Sequence, residues 1–199
     1  MGSGFFVTPH TIMTNRHVIE NSKDGKVIVV SRALTTLHRG TVLRSTVSSD
    51  IGAADFALIR LDQGSAPGVL PFASTVRKLN DVIAAGYPAL TVQTDSSFRR
   101  LLGGDLAAAP DLNLTAGVVQ AIQEMRTGLQ QVLHTAQISS GNSGGPLVDR
   151  CGRVVGVNTF INRDKDDVAR ANYALHSKAA VAFLAATGVP IRPTSSTCG

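Results

Sequence analysis

The sequence contains no tryptophan, two cysteines and three methionines, and aromatic residues fill only 5% of its 199 positions. Two cysteines, Cys151 and Cys198, make neither a disulfide framework nor a zinc site. They are either one bridge or two thiols, and their number does not decide between an oxidising and a reducing compartment. No apolar run approaches the roughly 18 residues of a membrane-spanning helix. The Met1 end lacks a basic start, an apolar core and a cleavage site, so no signal peptide is expected. The compartment stays open: cytoplasmic if Met1 is the native start, periplasmic or secreted if it is not. Charge is not concentrated either. Nineteen Lys and Arg stand against fourteen Asp and Glu, a net +5, with no basic run longer than Arg99-Arg100. A nucleic-acid footprint is therefore not expected, and the surface reads as mixed and solvated. Repeats and long low-complexity segments are absent as well.

What is present is the composition of a folded chain. Hydrophobic residues at 43% with charged residues at 17% exclude disorder. The length suits one domain or two tightly packed halves. Short β-type runs rich in Val, Ile, Leu and Thr alternate with turn signals, as in an all-β sandwich or barrel. The first group of predicted strands is Phe5–Val7, Thr11–Thr14, Lys26–Ser31, Thr41–Val47, Phe56–Leu61 and Asp81–Ala85. The second is Leu114–Gln120, Gln131–Thr135, Pro146–Val148 and Arg153–Thr159. Between the groups, Pro88–Pro110 reads as an inter-barrel connection or an insertion. A helix is signalled over Lys178–Thr187, with Ser177 as its cap, Gly188 and Pro190 as its stop, and Val181 and Leu184 on one face. The tail from Arg192 to Gly199 is polar and reads as frayed or as a linker.

Three segments carry chemistry, in the order His17, Asp55, Ser143. They are Thr14-Asn15-Arg16-His17-Val18-Ile19, Ala54-Asp55-Phe56-Ala57-Leu58-Ile59 and Ser140-Gly141-Asn142-Ser143-Gly144-Gly145-Pro146. A serine hydroxyl is a weak nucleophile at neutral pH and needs a base within hydrogen-bond reach, a role imidazole fills. A buried carboxylate holds the imidazole in one tautomer and stabilises its cation. A Gly-x-Ser turn supplies two backbone N–H donors, here those of Gly141 and Ser143, to a developing oxyanion. Asp50 is the alternative orienter. Asp55 is preferred because an apolar strand follows it directly.

These blocks resemble those of trypsin-like (chymotrypsin-fold) serine peptidases, most of all the bacterial HtrA/Deg-type branch. The resemblance extends to Gly2-Ser3-Gly4-Phe5, Gly117-Val118-Val119, Gly152–Asn158 and Tyr173–Ser177, and leaves Pro88–Pro110 unmatched. It implies an all-β fold of two six-stranded antiparallel Greek-key barrels with a C-terminal helix. On that reading residues 1–85 form the first barrel, 86–110 a connection, 111–176 the second barrel and 177–188 the helix, all within one peptidase domain. It further implies His17 as general base, Asp55 as orienter and Ser143 as nucleophile. Gln137, Ile138 and Ser139 would line the base of the specificity pocket and Tyr173, Ala174 and Leu175 its wall. Ile138 would then favour small aliphatic side chains, and the lack of an Asp there disfavours Lys or Arg. A pocket-facing His134 or His176 would instead favour an acidic side chain. The substrate would be a protein or peptide, with no metal and no organic cofactor.

Three departures from the family pattern matter. Position 142 is Asn rather than Asp, which disfavours activation by pairing with a freshly cut N-terminus. The family carries one more strand before Gly2-Ser3-Gly4, and no PDZ-like module is expected after the helix. The first barrel is therefore expected to be short of a strand, or to receive it from a partner, unless Met1 is not the native start. This leaves room for an activating partner or a homo-oligomer, and for a second function class, a peptide-binding or chaperone-like module with a gated or inactive site. The Gly141–Gly145 pattern also suits the nucleophile elbow of an α/β-hydrolase, with Asp166 and His176 as partners. That elbow demands a helix straight after the serine, where Pro146 and the β-branched run Val154–Val157 stand instead. His10 and His38 read as exposed, Cys151 as a turn residue without an adjoining base, and Asp164, Asp166 and Asp167 with Lys165 as a solvated loop rather than a calcium site.

Overall fold

The computed structural model describes residues 1–50, 52–163, 170–191 and 194. The elements are β1 (Phe5–Thr8), β2 (Thr11–Thr14), α1 (Arg16–Ile19), β3 (Lys26–Val29), β4 (His38–Ser45), β5 (Ala57–Leu61) and β6 (Asp81–Gly86). They continue with α2 (Ala89–Thr94), α3 (Ser96–Leu102), β7 (Asn113–Glu124), β8 (Gln130–His134), β9 (Pro146–Val148), β10 (Val154–Arg163), β11 (Arg170–His176) and α4 (Ser177–Ala186). The first sheet has the order β1-β2-β5-β4-β3, and the second closes into a barrel, β10-β11-β8-β7-β6-β9. Every strand pair is antiparallel. Among the described residues six strands form the second unit, as expected, and five the first.

Two expectations about organisation change. Strand β6, expected in the first barrel, pairs with β7 and β9 and belongs to the second. The crossing between the units therefore lies upstream, where Phe72 bridges Val154. Pro88–Pro110 is then an insertion between two strands of one barrel, and it carries α2 and α3. The C-terminal helix begins one residue earlier than expected. Its cap is His176, whose Nδ1 accepts the Lys178 N–H at 3.1 Å, while Ser177 is the first helical residue.

The core explains the seating of the two units. Phe5, Met13, Phe56 and Leu58 of the first sheet meet Val154, Val157 and Leu175 of the barrel, with Ala180 and Leu184 of α4 closing the same cluster. Phe56 stacks on Phe183 of α4 at 5.6 Å. Burying each such side chain is worth roughly 1.5–3 kcal/mol, so the junction is held by apolar packing, and strand ends from both units converge there. Cys151 is disulfide-bonded. Cys198 lies outside the described residues, as do Asp164, Lys165, Asp166, Asp167, Arg192 and the rest of the tail except Thr194.

Two buried histidines leave a pH signature. His134 is fully buried, and neither ring nitrogen makes a hydrogen bond of ordinary geometry among the described residues. Burial pushes its pKa down to about 4, only partly opposed by the Ala136 backbone. Burial, then the Lys178 charge, brings His176 to about 4 as well. The unfolded chain takes up these protons near 6.5, so it binds more protons than the native state between those values. The stabilisation from keeping both rings neutral is complete above 6.5 and is lost as pH falls toward 4. His134→Phe, which fills the apolar site without a titrating group, is expected to show a smaller drop in Tm between pH about 7 and about 4 than the parent. An unchanged drop by calorimetry would exclude His134 as a source.

Candidate active site

The site is assembled from strand ends. Thr14 closes β2, and Asn15 turns the chain into the single-turn helix α1, whose second residue is His17. Asp55 precedes β5, the strand paired with β2. The β2–β5 pairing thus brings the imidazole and the carboxylate together. His17 Nδ1 stands 2.6 Å from Asp55 Oδ2, and the His17 backbone N–H donates to Asp55 Oδ1 at 3.1 Å. An ionised carboxylate only accepts, so the ring proton sits on Nδ1 and the Nε2 lone pair is left free. Asp55 is 2% exposed and His17 about a third exposed, so the carboxylate is enclosed while the imidazole keeps one open face. Asn15 Nδ2 ties the Asp55 carbonyl at 2.7 Å and Thr159 Oγ1 at 3.2 Å. Asp50 is exposed and accepts a hydrogen bond from the Ser48 hydroxyl.

The turn at Gly141–Gly145 repays a complete count of its backbone donors. Asn142 N–H donates to the Ser139 carbonyl, Gly144 N–H to that of Asn158, and Gly145 N–H to that of Asn142. The remaining two, of Gly141 and Ser143, have no acceptor among the described residues. The carbonyls are held from outside: Ser140 by Ala89 N–H at 2.8 Å, Ser143 by Ser3 N–H at 2.8 Å, and Gly141 by Ser3 Oγ at 2.7 Å. Three positions require glycine: Gly145, where a Cβ would collide with the Ala85 carbonyl, and the two with positive φ. Gly141 has φ +99 and a Cβ there would meet the Ala89 nitrogen at 2.7 Å, while Gly144 has φ +85 and would press on Thr14, Ser3 and Asn15.

Ser143 is half-buried, and its Oγ donates to the Thr159 carbonyl at 3.1 Å rather than to His17. Thr159 lies at an irregularity in β10 between Asn158 and Phe160, where its carbonyl can turn toward the serine. Beside His17 a cavity of about 180 Å³ is lined by Asp50, Asp55, Gln131, Thr159, Phe160 and Leu175, among others. Of the six residues expected to contact substrate, only Leu175 lines it. Ile138 and Ala174 pack in the barrel core, Gln137 is exposed, Ser139 is half-buried, and Tyr173 stacks on Phe160 at 4.8 Å. Neither His134 nor His176 lines the cavity. Sequence reasoning missed Ser3, Asn15, Ala89 and Thr159 as parts of the site. The only signal for Ser3 and Asn15 was their place inside motif blocks.

Residues 2–157 match the family model described as a trypsin-like peptidase domain. Among curated relatives, the chain is 30% identical over 197 residues to the putative serine protease HhoA of Synechocystis, covering 96% of the chain and 45% of the relative. It is 27% identical over 172 residues to the serine protease Do-like HtrA of Bacillus subtilis, covering 83% and 33%. The chain thus spans less than half the length of these relatives. Among solved structures, the HtrA-type protease AlgW with decapeptide superposes at TM-score 0.71 and 22% identity, over 93% of this chain and 50% of that one. The inactive form of the Rv3671c protease superposes at 0.66 and 23%, over 94% and 83%. These likenesses establish the fold.

Because the Cβ space at Gly144 is filled by backbone as well as side-chain atoms, Gly144→Ala is expected to destabilise the protein by about 1–3 kcal/mol in urea denaturation. Gly152→Ala, at φ +74 in open space, carries the dihedral strain without the clash and is expected to cost less.

Proposed function

Because the chain belongs to the trypsin-like peptidase domain family, we propose that it is a serine endopeptidase that cleaves peptide bonds through His17, Asp55 and Ser143. The observation that carries this reading is the pair of N–H groups, Gly141 and Ser143, without a partner among the described residues, in the turn that holds the serine, beside an imidazole whose Nδ1 is held by a buried carboxylate.

In the mechanism, the Ser143 hydroxyl leaves the Thr159 carbonyl and turns to His17 Nε2. That exchange gives up one neutral hydrogen bond, about 0.5–1.5 kcal/mol, which is small beside the barrier to peptide hydrolysis. Oγ then attacks the scissile carbonyl carbon while its proton passes to Nε2. The carbonyl oxygen becomes an oxyanion facing the Gly141 and Ser143 N–H groups, each such donor typically worth about 2.7–4 kcal/mol in the transition state. Asp55 stabilises the imidazolium. Collapse breaks the C–N bond, the leaving amine takes the proton from Nε2, and an acyl group remains on Ser143. A water molecule then attacks that ester with His17 again as base, releasing the acid and restoring the serine. A protein or peptide is the substrate class.

A fluorophosphonate is expected to label Ser143 in the parent protein, with the site read by mass spectrometry, and Ser143→Ala is expected to lose both labelling and peptide hydrolysis. Asp55→Asn should lower kcat by about 10⁴-fold through the wrong tautomer, whereas Asp50→Asn should lower it far less. A folded protein that is never labelled but binds peptides would favour the peptide-binding reading. Equal losses for Asp50→Asn and Asp55→Asn would remove the assigned orienter.

A further inference from the structure

We infer that Ser3 is a positioning residue for the oxyanion donors, acting through its hydroxyl on the backbone of the Gly141–Ser143 turn; the inference rests on the peptidase reading above. Ser3 is 6% exposed and lies at the crossing of three segments. Its Oγ accepts the Tyr87 N–H at 2.9 Å and donates to the Gly141 carbonyl at 2.7 Å. An amide can only donate and a carbonyl only accept, so the direction of this relay is dictated. Its own backbone is pinned on both sides, by N–H donation to the Ser143 carbonyl at 2.8 Å and by Thr14 Oγ1 donating to its carbonyl at 2.6 Å.

The consequence follows from peptide planarity. In a trans peptide the C=O and the N–H point in opposite directions. The Ser140–Gly141 plane carries the Gly141 N–H, and its carbonyl is held by Ala89 N–H. The Gly141–Asn142 plane is held by Ser3 Oγ. Gly141 sits between them at φ +99 with no side chain to limit its rotation, so fixing both planes is what fixes its dihedrals and the aim of its N–H. The Ser3 hydroxyl acts on the second plane directly and on the first through the Tyr87–Ala89 segment. It holds Tyr87 N–H, two residues before the Ala89 that holds the first. An alanine at position 3 would release the Gly141 carbonyl and leave Tyr87 N–H without its acceptor, while leaving Ser143, His17 and Asp55 in place.

The test compares the parent, Ser3→Ala and Ser3→Cys, which keeps a weaker donor in the same position. Peptide hydrolysis gives kcat and KM, a peptide aldehyde reports affinity for a tetrahedral adduct bearing an oxyanion, and Tm reports folding. Since deleting one oxyanion donor costs about 10²–10³-fold in kcat, a misaimed donor should cost about 10-fold. Ser3→Ala is expected to lose about 10-fold in kcat and a matching factor in aldehyde affinity, with KM within about twofold of the parent. Ser3→Cys should fall between the two, and it carries the test alone should Ser3→Ala fail to fold. Unchanged kcat and aldehyde affinity in a folded variant would overturn the inference, as would a loss confined to KM or to Tm. A parent protein that neither hydrolyses peptides nor binds the aldehyde would overturn the peptidase reading instead.

Discussion

A peptide unit is planar and trans, so a carbonyl bonded on one side aims the following N–H to the other. The site depends on that constraint. The turn around Ser143 uses its carbonyls as handles: the Ala89 N–H grips that of Ser140, Ser3 grips those of Gly141 and Ser143, the Gly145 N–H grips that of Asn142 and the Asn158 N–H that of Gly145. Three of the five amides between Gly141 and Gly145 turn inward to protein acceptors. The two left over, of Gly141 and Ser143, have no acceptor among the described residues, and on the proposed reading they are the oxyanion donors. An unpaired amide is a cost in a folded protein, and here that cost is concentrated on two groups of one loop, next to a histidine already committed at Nδ1 to a buried carboxylate.

The larger architecture serves this loop. The imidazole and carboxylate come from neighbouring strands of the five-stranded sheet, the serine from the segment entering β9 of the closed barrel. The apolar cluster around Phe5, Phe56, Val157 and Leu175 joins the two units. Asn15 spans the seam by bonding both the Asp55 carbonyl and Thr159. Packing decides where the units sit, and on the proposed reading a few polar contacts across the seam decide how His17, Asp55 and Ser143 face one another.

Much of this was legible in the sequence and some was not, for physical reasons. The strands read well because Val, Ile and Leu runs between turn residues suit a pleated half-buried surface, and Thr11–Thr14 and Pro146–Val148 match residue for residue. His17, Asp55 and Ser143 stood out because each sits in a motif of restrictive residue types. Ser3 did not stand out as a functional side chain, since a serine between glycines is common and its partner Gly141 is 138 residues away. The assignment of β6 to the second barrel depends on pairing with β7 and β9, which local propensity does not encode. Helices α2 and α3 are short and poorly patterned, and α3 is held by the Asp95 side chain at its start. The His176 cap competes with a better capping residue beside it, and tertiary burial rather than propensity decides the outcome.

The most direct test of the account is a crystal structure of the fluorophosphonate adduct. The account predicts phosphorus bonded to Ser143 Oγ, with the phosphoryl oxygen within hydrogen-bond distance of both the Gly141 and Ser143 nitrogens, and with the Ser140 and Gly141 carbonyls still on Ala89 and Ser3. A phosphoryl oxygen turned to solvent, or a Ser140–Gly141 peptide reversed so that its carbonyl fills that position, would contradict it.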